Sequence, residues 1–448
     1  MTPVSIFTKV NGTQDDYLLS LHSVRDRCFK VQEAAGKNRL QHFDIDASKL
    51  NDMAQFVIAL IKRDYDDPSK IPVYGCWRHF DTGGRPRIQT LISTWASLGI
   101  DRTEQTRRVL DLFVLTVLLD FDPGNQYVFR ESTTNIALKK REGIAVAILE
   151  MFVQGVFSTS PNQPHRVDSE ALMHLTLQDL LTGFKVVSPE TLIGLKERFE
   201  LLKHLAQVLQ RRPDYFSGEE GHIPRPGNMI DYLVCHPTTI KTKKGLLIHL
   251  ETLWPIVLEM SELCIKNDGA NQLGDVWTYP SMGSSQSISF HNLSQWMIYS
   301  LIEPMEKLLG AVFEGTEQLT PPSNYSNGGL LIDCGFITLK KKDYERGIAM
   351  YRQNSLLPGQ PKVEVAPMFE VSDPVVVEWR ALTTAYVDLI AERVRSVLKM
   401  SKKSLSLSQI IQGGTTSAGR ELAEISRPNT QEPPIIIKVS DIIKKFLN

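Results

Sequence analysis

Two stretches constrain the fold of this chain more than any others: "EQTRRVLDLFVLTVLL" (104–119) and "REGIAVAILEMFVQGVF" (141–157). Each is apolar nearly all round when wound as a helix. A helix without a polar face must be covered on every side, so both are predicted as central helices. Neither suits a bilayer: the strongest run, Val109 to Leu119, is interrupted by Asp111 and Thr116 and is too short to span one. Two buried helices need others around them, and the sequence supplies these. "DMAQFVIALIKRDY" places Met53, Phe56, Val57, Leu60 and Ile61 on one face. "SPETLIGLKERFELLKHLAQVLQ" begins with Ser188 as a cap and Pro189 at the first helical position. "KKGLLIHLETLWPIVLEMSELC" is predicted helical with a kink or break at Pro255, and "PVVVEWRALTTAYVDLIAERVRSVL" is a long late helix. The best strand signals are "PKVEVAPMFEV" (361–371) and "PPIIIKV" (433–439). The expectation is a mainly α protein: one large helical domain over residues 15–448 with a few short strands, after an N-terminal extension of residues 1–14.

Charge and cysteine usage exclude several function classes. The net charge of −1 offers no electrostatic footprint for nucleic acid or an anionic membrane. Five widely spaced cysteines contain no CxxC pair, which argues against a disulfide framework or structural zinc and for reduced thiols in the cytoplasm. "MTPVSIFTKVNG" lacks the cationic start and apolar run of a signal peptide. Ten histidines lie scattered without metal spacing, and neither HExxH nor G-x-S-x-G occurs, so no metal and no cofactor are expected. "GGTTSAGR" (413–420) lacks the lysine and hydroxyl of a P-loop, since Arg420 and Glu421 follow Gly419. It reads either as a helix terminus or as a glycine-rich turn whose Arg420 holds a phosphate.

Candidate chemistry begins with "SFHNLSQWMIYSLIEPM" (289–305), where His291, Gln295, Tyr299 and Glu303 recur every four residues. On a helix they form one column, either a buried hydrogen-bond network or the wall of a pocket. Further clusters mix arginine, carboxylate, glycine and aromatics: "CWRHFDTGG" (76–84), "LLDFDPG" (118–124), "KREG" (140–143), "LGDVWTYP" (273–280), "NYSNGGLLID" (324–333) and "VEWRALT" (377–383). Such residues are rarely buried without partners. "VFRES" (128–132) and "KREG" are expected to feed one network. His79, between aromatic neighbours, reads as a packed core histidine. Glu378 and Arg380, two apart, point to different faces of a helix.

The ordered set "WRHF", "RRVLDLFVLTVLLD", "REGIAVAILEMFVQGVFS", "SFHNLSQWMIYSLIEP", "YSNGGLLID", "VEWRALT" and "GGTTSAGR" resembles a fungal and bacterial family, uracil catabolism protein 4, from about Leu21 to the end of the chain. The chain departs from the family in having Cys76 before "WRHF", "GGRPR" where "GGVDR" is usual, and Tyr325-Ser326 before "NGG". The resemblance implies a place in a route that degrades uracil through a ribosylated, ring-opened intermediate to urea and a three-carbon acid. It also implies a pathway partner similar to a GTP cyclohydrolase. "LTPPSNYSNGGLLIDCGFITL" is similar in layout to a segment of queuosine-salvage N-glycosylases, which are all-helical.

The expected activity is hydrolysis of an N-ribosyl bond, on a ribosylurea-type nucleoside or nucleotide, to release urea. The alternative is a non-catalytic protein that binds and assists the ring-opening enzyme. Cleavage builds positive charge on the sugar, so the site needs a carboxylate near the anomeric carbon. Asp333 is the first choice, Asp275 the second, with Glu303 joining them. His291, Gln295, Tyr299 and Tyr325 would line the pocket, Trp277 or Trp296 would stack on a planar urea or uracil group, and Arg78, Arg380 or Arg420 would bind phosphate. Asp333 and Asp275 read equally well as a helix cap and a loop-ordering carboxylate.

Overall fold

The computed structural model describes residues 13–121, 123, 127–192, 194–218, 223–243, 245–261, 273–282, 287–354 and 364–438. It is mainly α-helical. The helices used below are α1 (Leu21–Gly36), α2 (Lys49–Asp64), α3 (Arg102–Leu118), α4 (Lys140–Val153), α5 (Leu195–Arg211), α6 (Leu250–Ser261), α7 (Asn292–Leu309), α8 (Tyr325–Asp333), α9 (Pro374–Leu398) and α10 (Thr416–Ser426).

The two all-apolar stretches become α3 and α4, as their patterning requires. From Val109 to Leu118 every residue of α3 is buried, Asp111 and Thr116 included. Each fully covered Leu, Val or Phe contributes about 1.5–3 kcal/mol. Asp111 is tolerated there because Arg225 and the amides of Val167 and Gly227 satisfy it. Helix α7 packs along α3, with α6 beside it and α4 on another side of α3. Together with α5 they form one hydrophobic core. A second core gathers α1, α2, α8 and α9. Helix α1 serves both, giving Leu21 to the first and Cys28 and Val31 to the second.

Several sequence expectations need correction. The stretch from Ser188 to Gln210 is not one helix. Ser188 caps a short turn, Pro189–Thr191, and α5 starts afresh after Gly194, whose φ of 93° lies in the left-handed region. "GLLIH" is a strand rather than the start of α6. Gly245–His249 pairs antiparallel with Ile240–Thr242 and parallel with Val312–Glu314. Pro255 lies inside α6 without ending it. Within the two best strand signals, Met368–Glu370 and Ile436–Lys438 are strands that pair with each other in parallel, and residues 361–363 and 439 lie outside the described residues. "GGTTSAGR" is not a helix terminus: a wide turn over Ile411–Thr415 runs straight into α10. No helix among the described residues is long and apolar enough to cross a membrane.

Candidate functional site

The column that opens α7 is mostly a strap. His291, at φ 49°, precedes the helix and sets Nε2 2.8 Å from the Leu18 carbonyl, which fixes the ring proton there. Gln295 accepts from the Thr320 amide at 2.7 Å and donates to the Phe290 carbonyl and the Thr320 hydroxyl. Tyr299 donates to the Thr320 carbonyl at 3.2 Å. These bonds pin the segment before α8. Glu303 accepts from Arg78 and Lys307, each at 2.6 Å, and its second oxygen is buried without a partner among the described residues. Tyr299 and Glu303 also line a cleft of about 860 Å³ between α1, α7, α9 and residues 402–409. The column is thus network at its N-terminal end and cleft wall at its C-terminal end.

The other sequence-selected acids sit in separate networks. Asp275 takes both Nη atoms of Arg380, at 2.8 and 2.7 Å, and accepts from Trp277 Nε1 at 2.7 Å and the Asn292 amide at 3.1 Å. Arg380 also donates Nε to the Ser323 hydroxyl at 3.1 Å, and its guanidinium lies 4.0 Å over the Phe290 ring. Asp333, at the end of α8, is bidentate to Arg427, at 2.8 and 2.7 Å. Tyr325 accepts from the Ile437 amide, which ties α8 to the late strand. Glu378 accepts three successive amides, Gln41, His42 and Phe43, at 2.9–3.0 Å, and the Tyr279 hydroxyl. Glu378 and Arg380 therefore serve opposite sides of α9, as their spacing requires. "VFRES" and "KREG" divide into two networks, with Glu131 on Arg87 and Arg141 on Asp120.

A different set converges around His79. The helical turn Trp77–Phe80 is held because Trp77 and Phe80 both pack on Phe113 of α3, with ring centroids 5.6 and 5.7 Å away. That leaves His79 against Trp296 of α7, at 5.9 Å. Tyr74 closes the other side, 4.6 Å from Trp296 and 5.6 Å from Tyr299. His79 Nδ1 and Trp296 Nε1 are buried without a hydrogen-bond partner among the described residues.

The charges around this enclosure come from four distant segments. Burial pushes the His79 imidazole below its ordinary range, opposed by Asp120 and Glu142, while Arg141 and Arg420 push the same way as burial. Burial raises the Tyr74 hydroxyl to about 12, beside Arg141, Asp120, Arg420 and the Asn324 side chain. Asp120, just past α3, meets Arg141 of α4 at 3.2 Å. Arg198 of α5 donates to the Leu118 carbonyl at 3.1 Å and keeps one nitrogen unpartnered. Burial lowers Arg198 to about 10, partly offset by Asp120. Glu142, half-buried in the first turn of α4, makes no hydrogen bond or ion pair among the described residues. Among the described residues no three His, Cys, Asp or Glu side chains approach metal-ligand spacing.

Over residues 17–443 the chain matches the family described as "Protein of unknown function (DUF1688)". It belongs to that family. It is 34% identical over 438 residues to Uracil catabolism protein 4 of Lachancea kluyveri, covering 94% of this chain and 96% of that protein. It is 33% identical over 431 residues to Protein urg3 of Schizosaccharomyces pombe, with the same coverages.

In this member of the DUF1688 family, the sequence-selected residues thus fall into the Asp275–Arg380 pair with Trp277, the Asp333–Arg427 pair, and the α7 strap. Trp296, Tyr299 and Arg420 reach the His79 enclosure, and Arg420 is exposed. The residues missed were His79, Tyr74, Asp120, Glu142 and Arg198. The signal for them is the mixture of arginine, carboxylate and aromatics in "WRHF", "LLDFDPG" and "KREG", segments that neither spacing nor periodicity brings together.

Proposed function

We propose that this protein acts in uracil degradation and hydrolyses the N-ribosyl bond of a ring-opened uracil nucleoside or nucleotide, releasing urea, in the enclosure around His79. The name of the Lachancea kluyveri relative supports the pathway. The observation that carries the reaction is the pairing of an unengaged carboxylate with unspent donors and acceptors. Glu142 has no partner among the described residues, and it acts electrostatically on a histidine whose Nδ1 is unbonded.

The chemistry follows from those groups. As the bond from the anomeric carbon to the urea nitrogen breaks, positive charge grows on the ribose. Glu142, half-buried, supplies the opposing negative charge, which acts more strongly there than in open water. His79, held neutral by burial, accepts a proton from the incoming water, whose oxygen bonds to the anomeric carbon. The proton passes to the departing nitrogen, so urea and the free sugar are the products. Tyr74 offers a ring face to the planar urea group, and the Trp296 N–H, unpartnered among the described residues, donates to its carbonyl. Asp333, Asp275 and Glu303 act in this reading as scaffold, each balanced by its own arginine.

The test is to incubate purified protein with ribosylurea, its 5′-phosphate and uridine, and to assay urea, uracil and free sugar. Wild type and Asp333→Asn should release urea, while Glu142→Gln should not. No urea from either ring-opened compound, or full activity in Glu142→Gln, overturns the proposal.

A further inference from the structure

Two guanidiniums, Arg141 and Arg420, and two carboxylates, Asp120 and Glu142, act on His79, and Arg198 lies near Asp120 and Arg141. A guanidinium that no carboxylate has claimed is open to an incoming anion. Asp120 already engages Arg141 at 3.2 Å. Arg420 makes no hydrogen bond or ion pair among the described residues, although it is long enough to pair on an open surface. Its position is held firmly. Helix α10 is pressed on α8 so closely that a Cβ on Gly419 would lie 1.9 Å from the Ser326 carbonyl oxygen. Only glycine fits there, and the contact fixes the position of the next residue, Arg420, whose charge acts on Tyr74.

The same helix carries a second unspent set. Thr415 is 0% and Thr416 7% exposed, and neither hydroxyl has a hydrogen-bond partner among the described residues. Thr416 lies four residues before Arg420 and so shares its face of α10. Thr415 closes the wide turn of Ile411–Thr415 and Thr416 follows it directly, and such a distortion recurs at functional sites. A guanidinium fork with a hydroxyl donor beside it suits the oxygens of a phosphate monoester.

We infer that the substrate is phosphorylated: Arg420, with the Thr416 hydroxyl one turn before it, grips the 5′-phosphate of the ribosyl compound whose anomeric carbon lies at His79. The inference rests on the reading of the His79 enclosure as the reaction site. It makes the protein act at the nucleotide level, on a ribosyl 5′-phosphate, in preference to the free nucleoside.

Binding of the sugar alone separates this inference from the reaction. Ribose 5-phosphate and ribose are titrated calorimetrically into the full chain, wild type, Arg420→Met and Arg420→Lys, after checking that all unfold at the same urea midpoint. Wild type should bind ribose 5-phosphate at least about 10-fold more tightly than ribose, the least that a charge-assisted pair provides. Arg420→Met should abolish most of that preference and leave the affinity for ribose unchanged, and Arg420→Lys should restore part of it. Equal affinities in wild type, or an undiminished preference in Arg420→Met, overturns the phosphate assignment. If the preference depends on Arg420 while no urea is released from any substrate, the phosphate assignment stands and the hydrolytic reading fails.

Discussion

Asp275→Ala is expected to cost this protein much of its stability, because the carboxylate is a scaffold group. The side chains of Arg380 and Asp275 are 1% and 0% exposed, so water screens neither charge. Asp275 offers four acceptor contacts: two to Arg380, one to the Trp277 indole and one to the Asn292 amide. Alanine removes all four and strands a guanidinium in the core. Removing one member of a buried pair costs about 3–5 kcal/mol, chiefly through the charge left behind. Each orphaned N–H adds about 1–3 kcal/mol unless water reaches it. The combined loss should reach at least about 4 kcal/mol, comparable with the whole stability of a small domain.

The double variant Asp275→Leu/Arg380→Met removes both charges at similar volume. It should recover most of the loss, since apolar replacements of buried pairs are often neutral. Urea unfolding followed by far-UV circular dichroism, on wild type, both single variants and the double variant, gives the coupling directly. A loss below about 1 kcal/mol in Asp275→Ala would refute the scaffold reasoning. So would a double variant no more stable than the worse single. A folded Asp275→Ala that has lost turnover would return this acid to the chemistry.

Glu142→Gln should lower urea release at least about 100-fold while leaving the urea midpoint unchanged, since the group has no native partner to lose. Asp333→Asn should do the reverse, losing about 1–3 kcal/mol with the Arg427 pair while keeping turnover per folded molecule; both follow from one activity assay and one unfolding curve. His79 is depressed in the fold and titrates near 6.5 when unfolded, so the fold prefers it neutral. Its contribution is complete above about pH 6.5 and is lost as pH falls through the lower folded value, and His79→Gln should flatten that part of the urea-midpoint profile. Glu378→Ala should cost about 3–5 kcal/mol by leaving the buried Phe43 amide, the buried Tyr279 hydroxyl and the partly covered Gln41 and His42 amides unmet. Hydrogen exchange at Gln41, His42 and Phe43 should speed up selectively in that variant, and unchanged exchange would refute the account.

The fold was legible in the sequence wherever one segment decides its own environment. The all-apolar stretches at 104–119 and 141–157 had to be central, and they are. Where a partner decides, the reading failed. "GLLIH" has the composition of a helix start, yet it extends because Val312–Glu314 offers it an edge. Ser188 and Pro189 gave a sound N-terminal signal, but Gly194 restarted the helix in a left-handed turn that periodicity does not register.

The site was less legible for a reason that lies in electrostatics. A carboxylate is available for chemistry only if no arginine has claimed it, and the claimants lie far away in sequence. Asp333 and Arg427 are 94 residues apart, and Asp275 and Arg380 are 105 apart. Read along the chain, these acids look as free as Glu142. Folding inverts the ranking: the acids in the most distinctive surroundings are saturated, and one in a plain helix start is left open beside His79. The same logic explains His79. Flanked by Trp77 and Phe80 it reads as core, and its neighbours are indeed core, packed on Phe113. Their packing fixes the turn and so directs the imidazole between them toward Trp296 and the charges of α4 and α10. The apolar context that makes this histidine read as core is what holds it where the proposed chemistry needs it.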